Sequence, residues 1–291
     1  MQATSGEQQK PGVILMNIAI VTDSTADIPA ELVQAYQIHV VPNLVIIDGQ
    51  SLEDGKDISR KEFYERLPEM ANPPTTATAS SGTYQQLYER LFDQGASHII
   101  SIHVASQLSG ILNAASTAAQ AFGSSVHVLD SKQLSLGLGF QVLAAAESSL
   151  KGLSLEAILD YIGDIRRRVR VVAMLDTLEY VRRSGRVSWA RAQLGNLLRV
   201  KPFLAVREGE VLRIGEARTR HKGIERLKQL AQGLGALERF AMLHTNAEDE
   251  ARQILEEINP DLDTTPLVVN VTTVIGTHVG PNGLGFAAVL R

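Results

Sequence analysis

Three segments rich in hydroxyl side chains stand where helices are predicted to begin, and together they favour an anion-binding site. They are DSTAD at residues 23–27, PTTATASSGT at 74–83 and SQLSGI at 106–111. Ser80 and Ser109 occupy expected N-cap positions, where free N–H groups and the helix dipole favour a negatively charged ligand. Serine and threonine are also preferred helix caps, so one hydroxyl alone indicates only a cap. Convergence of the segments favours binding of a carboxylate or a phosphate, because each hydroxyl adds a rotatable donor.

A fourth candidate segment lies near the C-terminus, where GTHVGPNGLG at residues 276–285 places four glycines and a proline around His278. Glycines permit close backbone approach and unusual dihedral angles. A histidine held in such a loop can donate to an anion or act as an acid or a base. A tight turn that carries a surface histidine explains the same spacing equally well.

Two aspartates in the first segment, Asp23 and Asp27, offer a magnesium site or a nucleophile instead. The segment lacks the D-x-D pattern of aspartyl phosphatases, and Asp27, two residues before Pro29, is typical of a helix cap. One alternative function is therefore a hydrolase or phosphotransferase that acts on a small anion or a phosphate ester through Asp23 or His278. A regulator that binds a protein or DNA is the other.

Composition limits the classes of function. The 291 residues carry a formal net charge of −4, have a sequence pI near 6.0 and include no cysteine. These values argue against a nucleic-acid partner and exclude disulfides and thiolate chemistry. No stretch approaches the roughly 20 apolar residues of a membrane span, and the seven histidines show no metal-ligand spacing. We expect a cytoplasmic protein without a metal, a cofactor or stable membrane insertion.

The first half of the chain alternates short apolar strands with helical patterns. Strands are predicted at residues 18–23, 39–47, 98–104 and 126–130. Nearly continuous apolar strands between helices indicate a parallel sheet covered on both faces. The predicted fold class is α/β with an N-terminal doubly wound parallel sheet, in which ligands bind beyond the carboxyl ends of the strands at a switch point.

The second half predicts an α+β domain with a mixed sheet. The residues Arg207-Glu208-Gly209-Glu210 separate two strand-like runs and indicate a hairpin, because glycine supplies a left-handed turn residue. A helix is predicted over residues 188–200. We divide the chain into a polar, aperiodic tail at residues 1–15, an N-terminal domain at 16–160 and a C-terminal domain at 161–291.

Several segments, in this order, resemble the motifs of the DegV family, the fatty-acid-binding proteins that serve as the lipid-carrying subunit of bacterial fatty acid kinase. The resemblance runs from about residue 17 to the C-terminus. It rests on IAIVTDSTADIP, TTATASSGTY, SQLSGI, VLDSKQLSLGLG, LDTLEYVRRSGR, KPFL and VIGTHVGPNG. An ordered set of motifs over the whole chain is a specific match, unlike any one of them alone.

The resemblance implies a ligand, a partner and a set of residues. The family's ligand is a long-chain fatty acid such as palmitate, whose acyl chain lies in an apolar tunnel between the two domains. Its carboxylate is held by residues that correspond to Thr76, Ser109 and His278, with Ser80 and Gly110 beside them. The chain itself is then not an enzyme. It presents the acid to the ATP-binding subunit of a fatty acid kinase, which forms the acyl phosphate in lipid metabolism.

The basic segment RRSGR supplies Arg182, Arg183 and Arg186, which resemble a patch that the family uses in handling the acyl phosphate. We expect these arginines to serve the partner encounter or the acyl phosphate rather than binding of the free acid.

The sequence also departs from the family pattern. Ala77 and Ala79 replace a serine and a proline of the first motif, Ile111 replaces a threonine, and Asn282 replaces a glycine. Loss of the proline gives this loop more freedom, so Thr75 is the alternative ligand if the loop shifts by one residue.

Overall fold

The computed structural model describes residues 17–187 and 200–291. The predicted tail at residues 1–15 and residues 188–199 of a predicted helix lie outside the described residues. Up to residue 168 the elements are, in chain order, β1 (Ile18–Asp23), α1 (Ala30–Ala35), β2 (His39–Val41), β3 (Leu44–Ile47), β4 (Gln50–Glu53), α2 (Arg60–Arg66), β5 (Thr75–Ala77), α3 (Ser81–Asp93), β6 (His98–His103), α4 (Ile111–Ala119), β7 (Val126–Asp130), α5 (Leu136–Leu150) and α6 (Leu155–Arg168).

Four of these strands form a parallel sheet in the order β2-β1-β6-β7. Both central strands are buried along nearly their whole length, as expected for strands covered on both faces. The chain leaves β1 toward β2 on one side and later leaves β6 toward β7 on the other, so the strand order reverses between β1 and β6. The predicted doubly wound sheet is confirmed. Its switch point lies beyond Asp23 and His103, where folds of this kind bind ligands.

A second, larger sheet follows residue 168. Its part of the chain contains β8 (Val169–Met174), α7 (Glu179–Ser184), β9 (Lys201–Arg207), β10 (Glu210–Ala217), α8 (Arg220–Gln232), β11 (Leu237–His244), α9 (Glu248–Ile258), β12 (Leu267–Asn270), α10 (Thr273–Val279) and β13 (Leu284–Leu290). The strand order is β10-β9-β8-β13-β11-β12, with β11 and β12 parallel and the other neighbours antiparallel. The predicted mixed sheet is confirmed.

The predicted hairpin joins β9 to β10. Glu208 and Gly209 take positive φ angles of 46° and 85°, which suit the right-handed twist of the paired strands. The Gly209 N–H also donates to the carbonyl oxygen of Lys132 at 3.0 Å. The tip of the hairpin therefore contacts the loop that follows β7 and ties the two larger sheets together.

A third sheet, of order β4-β3-β5, lies outside the predicted pattern. The strand predicted over residues 39–47 divides at Pro42, which has no N–H for a ladder. On its two sides β2 joins the parallel sheet, and β3 pairs antiparallel with β4 and β5. The segment at residues 74–83, predicted as a loop before a helix, thus contributes strand β5 as well.

The predicted domain boundary at residue 160 falls inside α6, a continuous helix that leads directly into β8. The buried side chains of α6, such as Ile158 and Ile165, belong to one apolar core that also contains Val171 of β8 and Ala287 of β13. The core is therefore shared between the two larger sheets, and the division at residue 160 stays a prediction.

Candidate functional site

An apolar cavity lies where the switch point of the parallel sheet meets the second sheet. Its walls include Val171 and Ala173 of β8, Leu204 and Val206 of β9, and Val274 and Ile275 of α10. Val104 and Leu108, which follow β6, close it from the side of the parallel sheet. An apolar cavity with a few convergent polar groups is the usual form of a small-molecule site.

Polar side chains form a neck between this cavity and an outer opening. Four residues line both spaces: Thr76, Ser184, Arg186 and His278. The outer opening is also lined by Pro73, Pro74, Tyr180 and Arg183, among others. Thr76 Oγ1 and His278 Nε2 lie 3.1 Å apart, within hydrogen-bonding distance. Ser109 and Gly110 line the cavity too, so the structure brings the three predicted ligands Thr76, Ser109 and His278 to one cavity.

The position of Thr76 follows from strand register. Thr76 stands opposite Val45 of β3, and Thr75 stands opposite Ile46. Since neighbouring side chains of a strand point to opposite faces, only one of the two threonines can face the cavity. Thr76 lines both the cavity and the outer opening. Thr75 is exposed and lines the outer opening but not the cavity. Thr76, and not Thr75, is thus the threonine that stands beside His278 and lines the cavity, and β5 orders this loop without the missing proline.

Ser80 and Ser109 were both predicted as N-caps, and the structure separates them. Ser80 Oγ accepts from the Thr83 N–H at 3.2 Å and caps α3, but Ser80 does not line the cavity. Helix α4 begins at Ile111 with Gly110 as its cap residue and has no side-chain cap. Ser109 Oγ accepts only a long contact of 3.4 Å from the Ile111 N–H. The N-cap prediction for Ser109 is therefore wrong, and its hydroxyl proton is free for another acceptor.

His278 lies in the last turn of α10, not in a glycine-rich loop as the sequence suggested. Two carboxylates hold the start of this helix: Asp27 accepts from the Thr272 N–H at 2.8 Å, and Asp54 accepts from the Thr273 N–H at 3.1 Å and from its hydroxyl at 2.7 Å. The orientation of His278 is thus set by residues from distant parts of the chain.

Two of the glycines around His278 are needed for close packing. A Cβ atom on Gly276 would overlap the ring of Tyr64, and one on Gly280 would overlap the ring of Tyr180. Gly280 also takes a φ angle of 80°, in the left-handed region that favours glycine. The glycines therefore let α10 approach α2 and α7.

The His278 imidazole is neutral at neutral pH. Burial and the nearby positive charge of Arg186 lower its pKa from 6.5 to about 4. Its Nδ1 atom is buried and has no hydrogen-bond partner among the described residues. A neutral imidazole offers one N–H donor and one acceptor. An anion at the neck would accept the donor and would favour the charged imidazolium.

Asp23 does not reach the cavity. It is fully buried and accepts from Thr25, from Asn43 Nδ2 at 3.2 Å and from His103 Nδ1 at 2.9 Å. Burial raises the pKa of Asp23, but the hydrogen bonds from His103 and Thr25 outweigh burial and hold that pKa below its ordinary value. Enclosed by donors, Asp23 orders the cavity wall and has no access to a substrate, so the geometry gives no support to a nucleophilic role.

Asp27 is the C-cap residue of the short 3-10 helix Ser24–Ala26, but it does not cap α1. The N-cap residue of α1 is Pro29, and Asp27 is fully buried beside Arg60 at 3.4 Å while it accepts from Ser135 at 2.5 Å. Its partners come from α2, from the loop before α5 and from the start of α10. A cap motif describes only residues within a few positions of one another, so it cannot predict contacts this distant in sequence.

The three arginines of the RRSGR segment occupy different positions relative to the cavity. Arg183 pairs with Glu179 and lines the outer opening, Arg186 lines the neck beside His278, and Arg182 is exposed and lines neither space. Sequence reasoning missed Ser184 at the neck and missed Thr25 and Asn43 in the cavity wall. An available signal was Asn43 itself, an amide that interrupts the apolar run at residues 39–47.

The described residues, 17–187 and 200–291, lack the features of a metal centre and of a membrane span. They contain no cluster of three or more histidine, cysteine, aspartate or glutamate side chains suited to a metal ion. They also contain no helix with the length and apolar character of a membrane span.

Comparison with known proteins decides the family. A model of the DegV family, described there as uncharacterised proteins, matches residues 17–291. The chain belongs to the DegV family. Protein DegV of Bacillus subtilis is 36% identical over 278 residues, which cover 93% of this chain and 98% of that protein. The family predicted from the ordered motifs is confirmed.

Solved DegV structures share the fold. A DegV family protein from Thermus thermophilus, described by its fatty acid binding, has a TM-score of 0.88 at 34% identity and covers 95% of this chain and 100% of its own. DegV from Bacillus subtilis, described as a fatty acid binding protein, has a TM-score of 0.84 at 34% identity, with coverage of 95% and 100%.

Proposed function

We propose that this DegV protein binds a long-chain fatty acid such as palmitate, with the acyl chain in the apolar cavity and the carboxylate at the neck. The observation that carries the proposal is that Thr76, Ser109 and His278 all line one apolar cavity, with Thr76 Oγ1 and His278 Nε2 3.1 Å apart. The two solved relatives described as fatty acid binding support it.

The physical chemistry of the site suits such a ligand. A carboxylate taken out of water needs hydrogen-bond donors, or its desolvation prevents binding. The hydroxyls of Thr76 and Ser109 and the neutral imidazole of His278 supply such donors. The nearby positive charge of Arg186 also favours an anion. The acyl chain contributes most of the affinity, at roughly 0.8 kcal/mol for each buried CH₂ group. Acids of roughly 14 to 18 carbons therefore gain enough from burial to bind tightly.

The protein acts, in this proposal, with a separate kinase subunit that binds ATP and converts the bound acid to an acyl phosphate. The chain has no G-x-x-x-x-G-K-[ST] segment to cradle the phosphates of ATP. The neck joins the carboxylate position to an outer opening, where Arg183 is exposed. An arginine at this rim suits recognition of a phosphate or of an acidic partner surface.

Mass spectrometry of ligand extracted from the native protein tests the ligand class. We expect fatty acids of roughly 14 to 18 carbons. A phosphosugar or a nucleotide in the extract, without lipid, contradicts the proposal.

Ser109→Ala and Ser80→Ala form a matched pair that tests the carboxylate site. Loss of one hydrogen bond to a charged group costs about 1.5 to 3 kcal/mol, so Ser109→Ala should weaken palmitate binding roughly tenfold to hundredfold with little change in melting temperature. Ser80→Ala removes a helix cap and should cost about 1 kcal/mol of stability with affinity unchanged. Unchanged affinity in the folded Ser109 variant removes Ser109 from the site.

Arg183→Ala tests the kinase step, and Arg252→Ala is its control because both arginines pair with a glutamate four residues earlier on a helix. Arg183→Ala should slow kinase-coupled phosphorylation and leave lipid affinity nearly unchanged, whereas Arg252→Ala should alter neither. Equal loss of affinity and phosphorylation in Arg183→Ala contradicts the separation of roles.

A further inference from the structure

The cavity wall beside β3 carries a second polar patch, formed by Thr25 and Asn43, which binding of the carboxylate does not use. Asn43 is 1% exposed and Thr25 is 3% exposed. The Asn43 Oδ1 atom is buried and has no hydrogen-bond partner among the described residues. A buried acceptor without a donor is costly, and Asn43 lines the cavity, so an occupant of the cavity is one source of that donor.

Asp23 determines which polar atom of Asn43 is left without a partner. Asn43 Nδ2 donates to Asp23 Oδ1 at 3.2 Å and to Ser24 Oγ at 3.4 Å. If the amide were turned over, its oxygen would face the Asp23 carboxylate, and two acceptors would repel each other. The carboxylate therefore fixes the amide with its nitrogen toward Asp23 and leaves its oxygen without a partner among the described residues.

Thr25 presents the same chemistry as Asn43. The Thr25 hydroxyl donates to Asp23 Oδ1, so only its lone pairs remain for another group. The patch thus offers acceptors, whereas Thr76 and His278 at the neck, and Ser109 in the cavity wall, offer donors. A carboxylate is repelled by the first set and bound by the second, while an O–H group suits the first.

The patch lies close to the neck. Thr76 stands opposite Val45, which is two residues along the chain from Asn43. Asn43 directly precedes β3, and two residues of extended chain span on the order of 7 Å. A fatty acid whose carboxylate is held at the neck therefore passes Asn43 near its carboxyl end and far from its methyl end.

We infer that the cavity favours a long-chain fatty acid with a hydroxyl group near its carboxyl end, a 3-hydroxy acid, whose O–H donates to Asn43 Oδ1. The inference rests on the proposed function, because it takes the carboxylate to be bound at the neck. It adds a substrate class: the protein discriminates between acids of equal length by a hydroxyl group.

Affinities of the delipidated protein for three acids of equal length test the inference. The acids are palmitic, 3-hydroxypalmitic and 16-hydroxypalmitic acid, each measured by calorimetry. The 3-hydroxy acid should bind about threefold to tenfold more tightly than palmitic acid, the range of one neutral hydrogen bond, and the 16-hydroxy acid should gain nothing. Equal or weaker binding of the 3-hydroxy acid overturns the inference, since a water molecule then satisfies Asn43. Failure of all three acids to bind overturns the proposed function instead.

Asn43→Leu tests the residue itself. The ratio of the affinities for 3-hydroxypalmitic and palmitic acid should fall to about one or below, because leucine has no acceptor. The readout is a ratio within one protein, so a general loss of stability does not imitate it. If Asn43→Leu does not fold, Asn43→Ala is measured in the same way. A preference for the 3-hydroxy acid that persists in the folded variant overturns the role of Asn43.

Discussion

Asp23 and Asp27 belong to one short segment and are both fully buried, yet their pKa values move in opposite directions. Burial raises the pKa of both carboxyl groups. At Asp23 the hydrogen bonds from His103 and Thr25 outweigh burial, so the pKa falls. At Asp27 burial outweighs the charge of Arg60 and the hydrogen bond from Ser135, and the pKa rises to about 6.

The difference lies in the partners. Asp23 has an imidazole N–H at 2.9 Å, and the other nitrogen of His103 lies 2.7 Å from Ser101, which accepts from Tyr88 at 2.8 Å. This chain of hydrogen bonds stabilises the charged carboxylate. Asp27 has Arg60 at the longer distance of 3.4 Å and also feels the negative charge of Asp54.

Each aspartate orders a different wall of the candidate site. Asp23 fixes Thr25 and Asn43 beside β3, and Asp27 holds the start of the helix that carries His278. Burial alone therefore does not determine the charge of a carboxyl group, and neighbouring positions in sequence do not imply one structural role.

Isosteric substitutions should affect stability with opposite signs, and the largest effect belongs to Asp23→Asn. An amide in place of the carboxylate keeps one acceptor oxygen, so its N–H₂ group must face either His103 or the donors of Thr25 and Asn43. Breaking such a buried pair costs roughly 3–5 kcal/mol, so the free energy of unfolding at pH 7.5 should drop by about this amount. Urea unfolding followed by circular dichroism measures it, and a loss below about 1 kcal/mol contradicts the account of Asp23.

Asp27→Asn should instead stabilise the protein at pH 7.5. A shift of the pKa from 3.8 to about 6 means that the charged form is unfavourable in the fold, by up to about 3 kcal/mol. The neutral amide avoids this cost, and we expect a gain of about 1–3 kcal/mol. The same unfolding measurement checks this gain. Equal destabilisation by Asp23→Asn and Asp27→Asn would contradict the difference between the two aspartates.

The pH dependence of Asp27→Asn follows with a definite sign. Between pH 3.8 and about 6 the folded protein binds the Asp27 proton more tightly than the unfolded chain does. Lowering the pH through this window therefore stabilises the wild type relative to the variant. The advantage of Asp27→Asn should shrink steadily from pH 6 downward, and an advantage independent of pH would contradict the raised pKa.

The smallest effect concerns His278, which Asp27 positions through α10. A bound carboxylate favours the imidazolium and raises the pKa of His278 from about 4, so binding near pH 6.5 should take up a fraction of a proton. Calorimetry in two buffers of different ionisation enthalpy measures the uptake. His278→Gln should abolish it, and uptake that survives in this variant must come from the fatty acid or another group.

The local patterns of the sequence were sufficient for much of the fold. Apolar strands between helices predict the parallel sheet, and Glu208-Gly209 predicts the hairpin, because both depend on near neighbours along the chain. The third sheet escaped prediction, since the short strand β5 forms only by pairing with β3. His278 was predicted as a ligand residue, but in a loop and not in a helix. The glycines needed for packing against Tyr64 and Tyr180 resemble the glycines of a turn.

The sequence by itself determined which residue types are present: the hydroxyls of three segments, a histidine among glycines and two aspartates. Only the tertiary structure decided their roles. Thr76 and His278 are 202 positions apart in sequence and meet at the neck, and Asp27 meets Thr272 across 245 positions. The charge of a buried carboxyl group, and the atom that an amide leaves available, depend on the distances to such partners, which no local pattern specifies.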